Sequence, residues 1–175
     1  LNCMDGNEFP NLNLEEKKEP IILKKEEFKN LINKTSFAVS TQETRPILTG
    51  INFKINGNNL ECIATDSYRL AKKHITLNNK VNEDVNIVIP GKNLIELTKI
   101  IEDNENNIEM HVFNNKVLFK FDNILFQTRV LSGTFPDVNR LIPGSFELSI
   151  KANTNELYNV IDRASLLTSE KDKNI

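Results

Sequence analysis

The residues with the clearest chemical potential surround one polar reversal between two apolar patterns. Apolar and polar residues alternate on both sides of Asp66-Ser67, which predicts two β-strands joined by a turn. Tyr68, Arg69 and Leu70 follow directly and supply an aromatic ring, a guanidinium and a branched apolar group. An apolar floor beside an arginine suits a groove that grips a peptide, because the guanidinium donates to carbonyl or carboxylate oxygens. The alternative is an ordinary hairpin with Tyr68 half buried and Arg69 solvated.

No residue pattern in the sequence predicts catalysis. His74 and His111 are isolated from metal-ligand spacings. The run 91–93, Gly-Lys-Asn, lacks the earlier glycine of a phosphate-binding loop. Ser67 is not surrounded by the glycines of a nucleophile elbow. We therefore predict a non-enzymatic protein with no catalytic residue, no metal site and no cofactor.

Composition restricts the partners and the compartment. The 175 residues carry a net charge of -2, which is unlike a basic nucleic-acid-binding protein, so any DNA contact must come from local patches. The two cysteines, Cys3 and Cys62, fit a reducing cytosol, and we expect a cytoplasmic location without membrane association. The sequence begins with Leu1, and we expect it to be excised from a longer protein.

The first half of the chain predicts a strand, a helix and a meander of three strands. Residues 21–23 form a short strand, and an amphipathic helix follows over 24–37, with Phe28 and Leu31 on its apolar face. The meander and its connections are predicted as strand 48–55 starting at Leu48, hairpin turn 56–59, strand 60–65, turn 66–67, strand 68–77 and polar connection 78–84.

The same order then restarts, which predicts an internally repeated domain. Residues 85–89 form a strand, and a second amphipathic helix follows over 91–103. Three further strands close the repeat, at 107–113, 116–121 and 124–131. Because strands in a meander pair with their neighbours, we expect an α+β fold in which a helix-plus-three-strand unit is duplicated and both helices pack on one face of antiparallel sheet.

The two ends of the chain predict incomplete neighbouring domains. A third copy of the scheme begins with a strand at 146–150 and a helix over 153–169, capped by Asn153 or Thr154. The predicted divisions are 1–19 for the end of a first domain and a linker, 20–142 for a complete middle domain, and 143–175 for the start of a truncated third domain.

The runs ATDSYRLA (64–71), GTFPDVNRLIP (133–143) and DRASLLTSEK (162–171), in this order and within repeated units, closely resemble the bacterial replicative sliding clamps, the β subunits of DNA polymerase III. The resemblance covers essentially the whole chain. It implies the DNA-clamp fold and a non-catalytic processivity role, in which two three-domain subunits close as a homodimer ring around duplex DNA.

The implied partners are duplex DNA, held without sequence preference, and proteins that carry short motifs rich in Gln, Leu and Phe. These proteins are the DNA polymerase III α subunit, the clamp loader and repair polymerases. A stand-alone peptide-binding module that forms no ring is the alternative.

The resemblance also implies site residues. The pocket for partner peptides lies at the boundary of the middle and third domains, and the C-terminal residues that complete it are absent from this sequence, so we expect weakened peptide binding. Ser67 and Tyr68 stand where other members often have Gly and His. The residues at matching pocket positions are Leu48, Thr65, Ser67, Tyr68, Arg69, Leu70, Pro143 and Phe146.

A second set of residues is predicted to contact DNA. Gln42 and Lys92 match family positions near DNA, and Lys29 and Lys99 lie on the polar faces of the predicted helices. A solvated helix face is the alternative for the lysines, because Glu26 and other acidic residues share those faces. A loop amide that faces water is the alternative for Gln42.

Overall fold

A computed structural model describes residues 5–6, 19–102, 104 and 106–166. The chain divides into two compact units, the first ending at Phe135 and the second beginning at Pro136. Within the described ranges, no helix is long and apolar enough to cross a membrane. The helices and strands are β1 (Ile21–Lys24), α1 (Lys25–Asn33), β2 (Gly50–Thr65), β3 (Leu70–Pro90), α2 (Gly91–Ile100), β4 (Asn107–Val112), β5 (Lys116–Phe121), β6 (Ile124–Arg129) and α3 (Thr154–Ser165).

Two antiparallel sheets build the first unit. One sheet has four strands in the order β1-β4-β5-β6, and the other consists of β2 and β3. Strands β4, β5 and β6 form the predicted meander, and β1 joins its free side with Ile21 opposite Met110. The backbone N–H of Leu131 donates to the carbonyl of Val88 at 2.8 Å, which links the end of the meander to β3. The prediction of an α+β fold built on antiparallel sheet is confirmed.

The two amphipathic helices pack their apolar faces into one shared core. Phe28 and Leu31 of α1 and Leu94 and Leu97 of α2 are completely buried, and the two helices contact each other. The ring of Phe28 lies 5.4 Å from the ring of Phe119 in β5, centroid to centroid. Apolar residues at helical spacing therefore hold both helices against the sheets, as the periodicity predicts.

The strand boundaries of the first repeat differ from the prediction. The predicted hairpin turn at 56–59 is wrong, because β2 continues through it and stays paired with β3. The register shifts on either side of Gly57, which has a φ of 60°, so this asparagine-glycine run forms bulges instead of a reversal. The predicted polar connection at 78–84 is likewise part of β3.

Other boundaries are also corrected. Leu48 does not start a strand but lies in a 3₁₀ turn, Pro46–Thr49, just before β2. Helix α1 ends at Asn33 and is followed by a separate 3₁₀ turn, Ser36–Ala38, and α2 ends at Ile100, after which the backbone of Ile101 is extended.

Within residues 136–166, the described part of the second unit, an irregular segment surrounds a 3₁₀ turn at Val138–Arg140 and leads to helix α3. The side chain of Asn153 accepts hydrogen bonds from the backbone N–H groups of Asn155 and Glu156, at 3.0 and 3.3 Å, so Asn153 is the N-cap. The predicted strand at 146–150 is wrong, because the described part of this unit contains no second strand with which it can pair. The predicted helix residues 167–169 and most of the predicted linker lie outside the described residues.

Candidate functional site

The reversal between β2 and β3 is a tight turn closed by side-chain hydrogen bonds. The Oδ1 atom of Asp66 accepts from the backbone N–H groups of Tyr68 and Arg69, at 3.0 and 2.9 Å. The Thr65 hydroxyl donates to the Arg69 carbonyl at 2.8 Å and accepts from the Ser67 N–H at 3.1 Å. These bonds satisfy backbone N–H and carbonyl groups within the turn, so the backbone that carries the side chains of the turn has a defined conformation.

Ser67 occupies a backbone conformation that favours glycine. Its φ is 79°, in the left-handed region that residues with a Cβ rarely adopt. The resemblance implies glycine at this position in other members, and a positive φ is a physical reason for glycine there. In this chain, the hydrogen bond from the Ser67 N–H to Thr65 helps to hold the strained residue in place.

The turn displays an exposed aromatic ring and an exposed guanidinium. Tyr68 is 97% exposed, which rules out the half-buried tyrosine of the ordinary-hairpin alternative. The Nε of Arg69 donates to the Asp66 carboxylate at 2.9 Å. The guanidinium carbon also lies 6.0 Å from the ring centroid of Phe37, a residue 56% exposed. The sequence predicts no role for Phe37, because nothing in it distinguishes this residue at the end of the predicted helix 24–37.

The remaining predicted pocket residues fall into two groups. Leu48 and Thr65 are buried, and Leu70 is half buried at the start of β3. Pro143 and Phe146 belong to the second unit, where both are exposed. The structure thus brings together residues 65–70 in one turn, and the roles of Leu48, Pro143 and Phe146 in peptide binding stay predictions.

The aspartate of the turn is held in its charged form. Desolvation raises the pKa of Asp66, but the hydrogen bonds from Arg69 and Tyr68 and the charge of Arg69 outweigh it, so the pKa lies below the usual aspartate value. Asp66 is therefore ionised near neutral pH and keeps the Arg69 guanidinium fixed at the rim of the turn.

The residues predicted to contact DNA have different surroundings. The ammonium of Lys29 donates to the Ile101 carbonyl at 3.2 Å, so it joins α1 to the end of α2. Lys99 pairs with Glu96 at 2.7 Å on the exposed face of α2. Lys92 and Gln42 are exposed, and the backbone N–H of Gln42 donates to the Ser40 hydroxyl. Contact with DNA stays a prediction for all four.

The described residues provide no metal or thiol chemistry. No group of three or more His, Cys, Asp or Glu side chains within them is placed to hold a metal ion. Cys62 is buried, and burial, together with the nearby charge of Glu61, raises the pKa of its thiol well above the usual value. The thiol is therefore protonated and unreactive at neutral pH.

Comparison with known proteins decides the family. The family described as "DNA polymerase III beta subunit, central domain" matches residues 22–137 of this chain. This chain belongs to the DNA polymerase III β subunit family. The match covers the domain that contains the Asp66–Arg69 turn.

Relatives and solved structures agree with this assignment. The β sliding clamps of Staphylococcus aureus and Bacillus subtilis are each 45% identical over all 175 residues. The crystal structure of the Bacillus subtilis sliding clamp covers 97% of this chain with a TM-score of 0.93. A sliding clamp from Bartonella birtlesii, solved with bound griselimycin, is 28% identical with a TM-score of 0.85 and covers 99% of the chain.

Coverage of the relatives is partial. The chain spans about half the length of the curated relatives it matches, for example 46% of the Bacillus subtilis sliding clamp. It spans 44% of the Bacillus subtilis chain and 48% of the Bartonella birtlesii chain in the solved structures.

Proposed function

We propose that this chain is the central part of a replicative sliding clamp, a non-catalytic cytoplasmic protein that encircles duplex DNA and tethers the DNA polymerase for processive synthesis. In the proposed assembly, two longer subunits form a homodimer ring. The partners are duplex DNA and the motif-bearing proteins: the DNA polymerase III α subunit, the clamp loader and repair polymerases. The observation that carries the proposal is the match of residues 22–137 to the β-subunit family, together with the hydrogen-bonded Asp66–Arg69 turn within them.

The turn supports a peptide-binding role through its chemistry. Arg69 is oriented by Asp66 yet remains 58% exposed, so its remaining N–H groups can donate to a peptide carbonyl or carboxylate. Tyr68 and Phe37 add exposed aromatic surface beside it, and aromatic and arginine side chains are the types that dominate binding energy at interfaces. We propose that Leu48, Thr65, Ser67, Tyr68, Arg69, Leu70, Pro143 and Phe146 contribute to this partner-peptide site.

The proposed DNA contact is weak and independent of sequence. Lys92 and Gln42 are exposed, whereas Lys29 and Lys99 already have intramolecular partners. Few phosphate contacts suit a protein whose retention on DNA comes from ring closure, because a ring can slide only if each contact is easily broken. We expect the chain alone to be monomeric and unable to encircle DNA, and a ring-shaped dimer in small-angle scattering would contradict this.

The test is fluorescence anisotropy of a labelled peptide with a Gln/Leu/Phe-type motif. We expect saturable binding that is weakened at least about tenfold by Arg69→Ala and by Leu70→Ala. Matched controls are Arg129→Ala and Leu125→Ala, which remove the same side-chain types from exposed positions of β6. Circular dichroism checks that each variant is folded. Equal loss in the controls would place binding elsewhere.

Griselimycin supplies a second probe, since it is bound in the solved Bartonella birtlesii clamp. We expect it to displace the labelled peptide from this chain and to lose affinity in Arg69→Ala. If neither this chain nor the longer protein that contains it bound the peptide and griselimycin, the stand-alone module with a different ligand would replace the clamp proposal.

A further inference from the structure

A small polar pocket lies away from the predicted pocket residues of the turn, between β3, the β4–β5 turn and the segment that follows β6. Its volume is about 320 Å³, at the lower end of the range for small-molecule sites. The polar side chains that line it are neutral carboxamides and hydroxyls: Asn52, Asn86, Asn114, Asn115, Ser132 and Thr134. No acidic or basic residue is among the described residues that line it.

The floor of this carboxamide pocket contains an unsatisfied acceptor. Asn52 is completely buried, and its Oδ1 atom has no hydrogen-bond partner among the residues that the structure describes. Its Nδ2 group donates to the Asn86 Oδ1 at 2.8 Å and to the Ile87 carbonyl at 3.2 Å. Because a carbonyl can only accept, the Asn52 amide cannot be turned over to satisfy its oxygen. An unpaired buried acceptor is unfavourable and favours the approach of a donor.

The walls of the pocket are already fixed by backbone hydrogen bonds. The Val130 N–H donates to the Asn115 carbonyl at 3.1 Å, and the Leu131 N–H donates to the Val88 carbonyl at 2.8 Å. Asn114, Asn115, Ser132 and Thr134 are exposed and form the rim, whereas Val88 is buried beside Asn52. The pocket therefore has a polar, solvent-accessible rim, and Asn52 is buried beneath it, so a ligand group reaches the Asn52 Oδ1 only when the rim side chains move aside.

We propose that the carboxamide pocket binds a primary carboxamide group, whether from a free small molecule or from a glutamine or asparagine side chain of a protein segment. Such a group supplies N–H donors for the Asn52 oxygen and a carbonyl acceptor for the rim amides and hydroxyls. Ammonium and carboxylate groups fit poorly, because desolvating a charge without an opposite charge nearby is costly. This site is distinct from the proposed peptide site, and the inference does not depend on the proposed function.

The test is a titration of the isotopically labelled chain with propionamide, followed by NMR of backbone and asparagine side-chain amides. We expect saturable shifts confined to the pocket residues, with a dissociation constant on the order of 10 mM for so small a ligand. Propionate and protonated propylamine have similar size and carry opposite charges, and we expect neither to shift these signals. Equal shifts from either charged compound, or no localised shift with propionamide, would overturn the proposal.

Two variants and two peptides complete the experiment. Asn52→Leu removes the floor acceptor, and we expect at least about tenfold weaker binding; Asn78→Leu makes the same change on an exposed part of β3. Thr134→Val changes only the exposed rim, so it gives a reading even if Asn52→Leu fails to fold, and we expect it to weaken binding severalfold. The site would be contradicted if Thr134→Val left the propionamide affinity unchanged and Asn52→Leu either failed to fold or also left that affinity unchanged.

The tripeptides Gly-Gln-Gly and Gly-Glu-Gly then identify the source of the carboxamide. Tighter binding of Gly-Gln-Gly than of propionamide indicates a protein side chain, and weaker binding indicates a free amide.

Discussion

Two turns of this domain each contain an aspartate paired with a cation, but the two pairs have different roles. The Asp66–Arg69 turn and the turn beginning at Asp122 each place an aspartate beside a cation, and each holds a non-glycine residue at positive φ, Ser67 at 79° and Asp122 at 47°. In the first, the cation is three residues away in the same turn and exposed. In the second, the cation is Lys25, which is 97 residues away and completely buried.

The Lys25–Asp122 pair, in which Lys25 is completely buried and Asp122 is partly exposed, is part of the framework of the domain. Lys25 begins α1, where the positive end of the helix dipole disfavours a cation, and Asp122 offsets that charge. The ammonium also donates to the Asn104 Oδ1 at 3.0 Å and lies 5.6 Å from the Phe121 ring centroid. Exposed pairs add little to stability, whereas a buried charge depends on its partner. The comparison therefore separates a turn that presents side chains from a turn that holds elements together.

Removing the carboxylate that pairs with the buried Lys25 gives the largest expected effect. Asp122→Asn leaves the Lys25 ammonium buried without an opposite charge, and we expect the midpoint of urea unfolding to fall by roughly 1 to 2 M. Lys25→Met is the informative control, because it removes the buried charge and leaves Asp122 partly exposed to water. A smaller loss is expected for Lys25→Met than for Asp122→Asn, and the reverse order would show that the pair is not a framework contact.

Changing the strained residue of the exposed turn gives an intermediate effect. Ser67→Val places a β-branched residue at a φ of 79°, and we expect a loss of about 1 to 2 kcal/mol in the free energy of unfolding. Ser67→Gly relieves the strain, and we expect a gain of about 0.5 kcal/mol. Chemical denaturation measures both. Equal stability of the valine and glycine variants would argue against a left-handed conformation at this position.

Acid sensitivity gives the smallest effect and involves both turns. The hydrogen bond from Lys25 lowers the pKa of Asp122, and the charge of Lys25 and the Asn106 side chain act in the same direction, against desolvation. The pKa of Asp66 is also lowered. Because the unfolded state binds protons more readily, this stabilisation is present above the unfolded aspartate pKa of about 3.9 and is lost as the pH falls below it.

Urea midpoints recorded between about pH 6 and about pH 3 test this sign. We expect a decline that begins near pH 4 and is shallower in Asp122→Asn, which has lost one of the two carboxylates. A decline equally steep in that variant would assign the acid sensitivity to other groups.

Sequence reasoning succeeded where the decisive interactions are local. The turn at 66–67, the apolar faces of α1 and α2, and the β4-β5-β6 meander depend on neighbours a few residues away, and the structure contains each of them. The Asn153 cap is of the same kind, since its hydrogen bonds reach only two and three residues ahead. The family resemblance, based on short runs such as 64–71, is likewise borne out by the comparisons.

Sequence reasoning failed where a distant partner overrides a local preference. The asparagine-glycine run at 56–59 favours a hairpin by itself, but pairing of β2 with β3 on both sides keeps the chain extended and turns the run into bulges. The partner of Lys25 is 97 residues away, so its burial has no local signal. The sequence around Asn52 also contains no local signal of its burial, because its side-chain amide bonds to Asn86 and Ile87 of the neighbouring strand.

The most direct test of the account measures peptide affinity and unfolding free energy together, in Arg69→Ala and Asp122→Asn. We predict that Arg69→Ala weakens binding of the motif peptide at least about tenfold and changes the unfolding free energy by less than about 0.5 kcal/mol, because its ion pair is exposed. We predict the opposite for Asp122→Asn: a clear loss of stability, with unchanged affinity at a temperature where the variant remains folded. Unchanged affinity in Arg69→Ala, or weakened affinity in folded Asp122→Asn, would contradict the division between a binding turn and a framework turn.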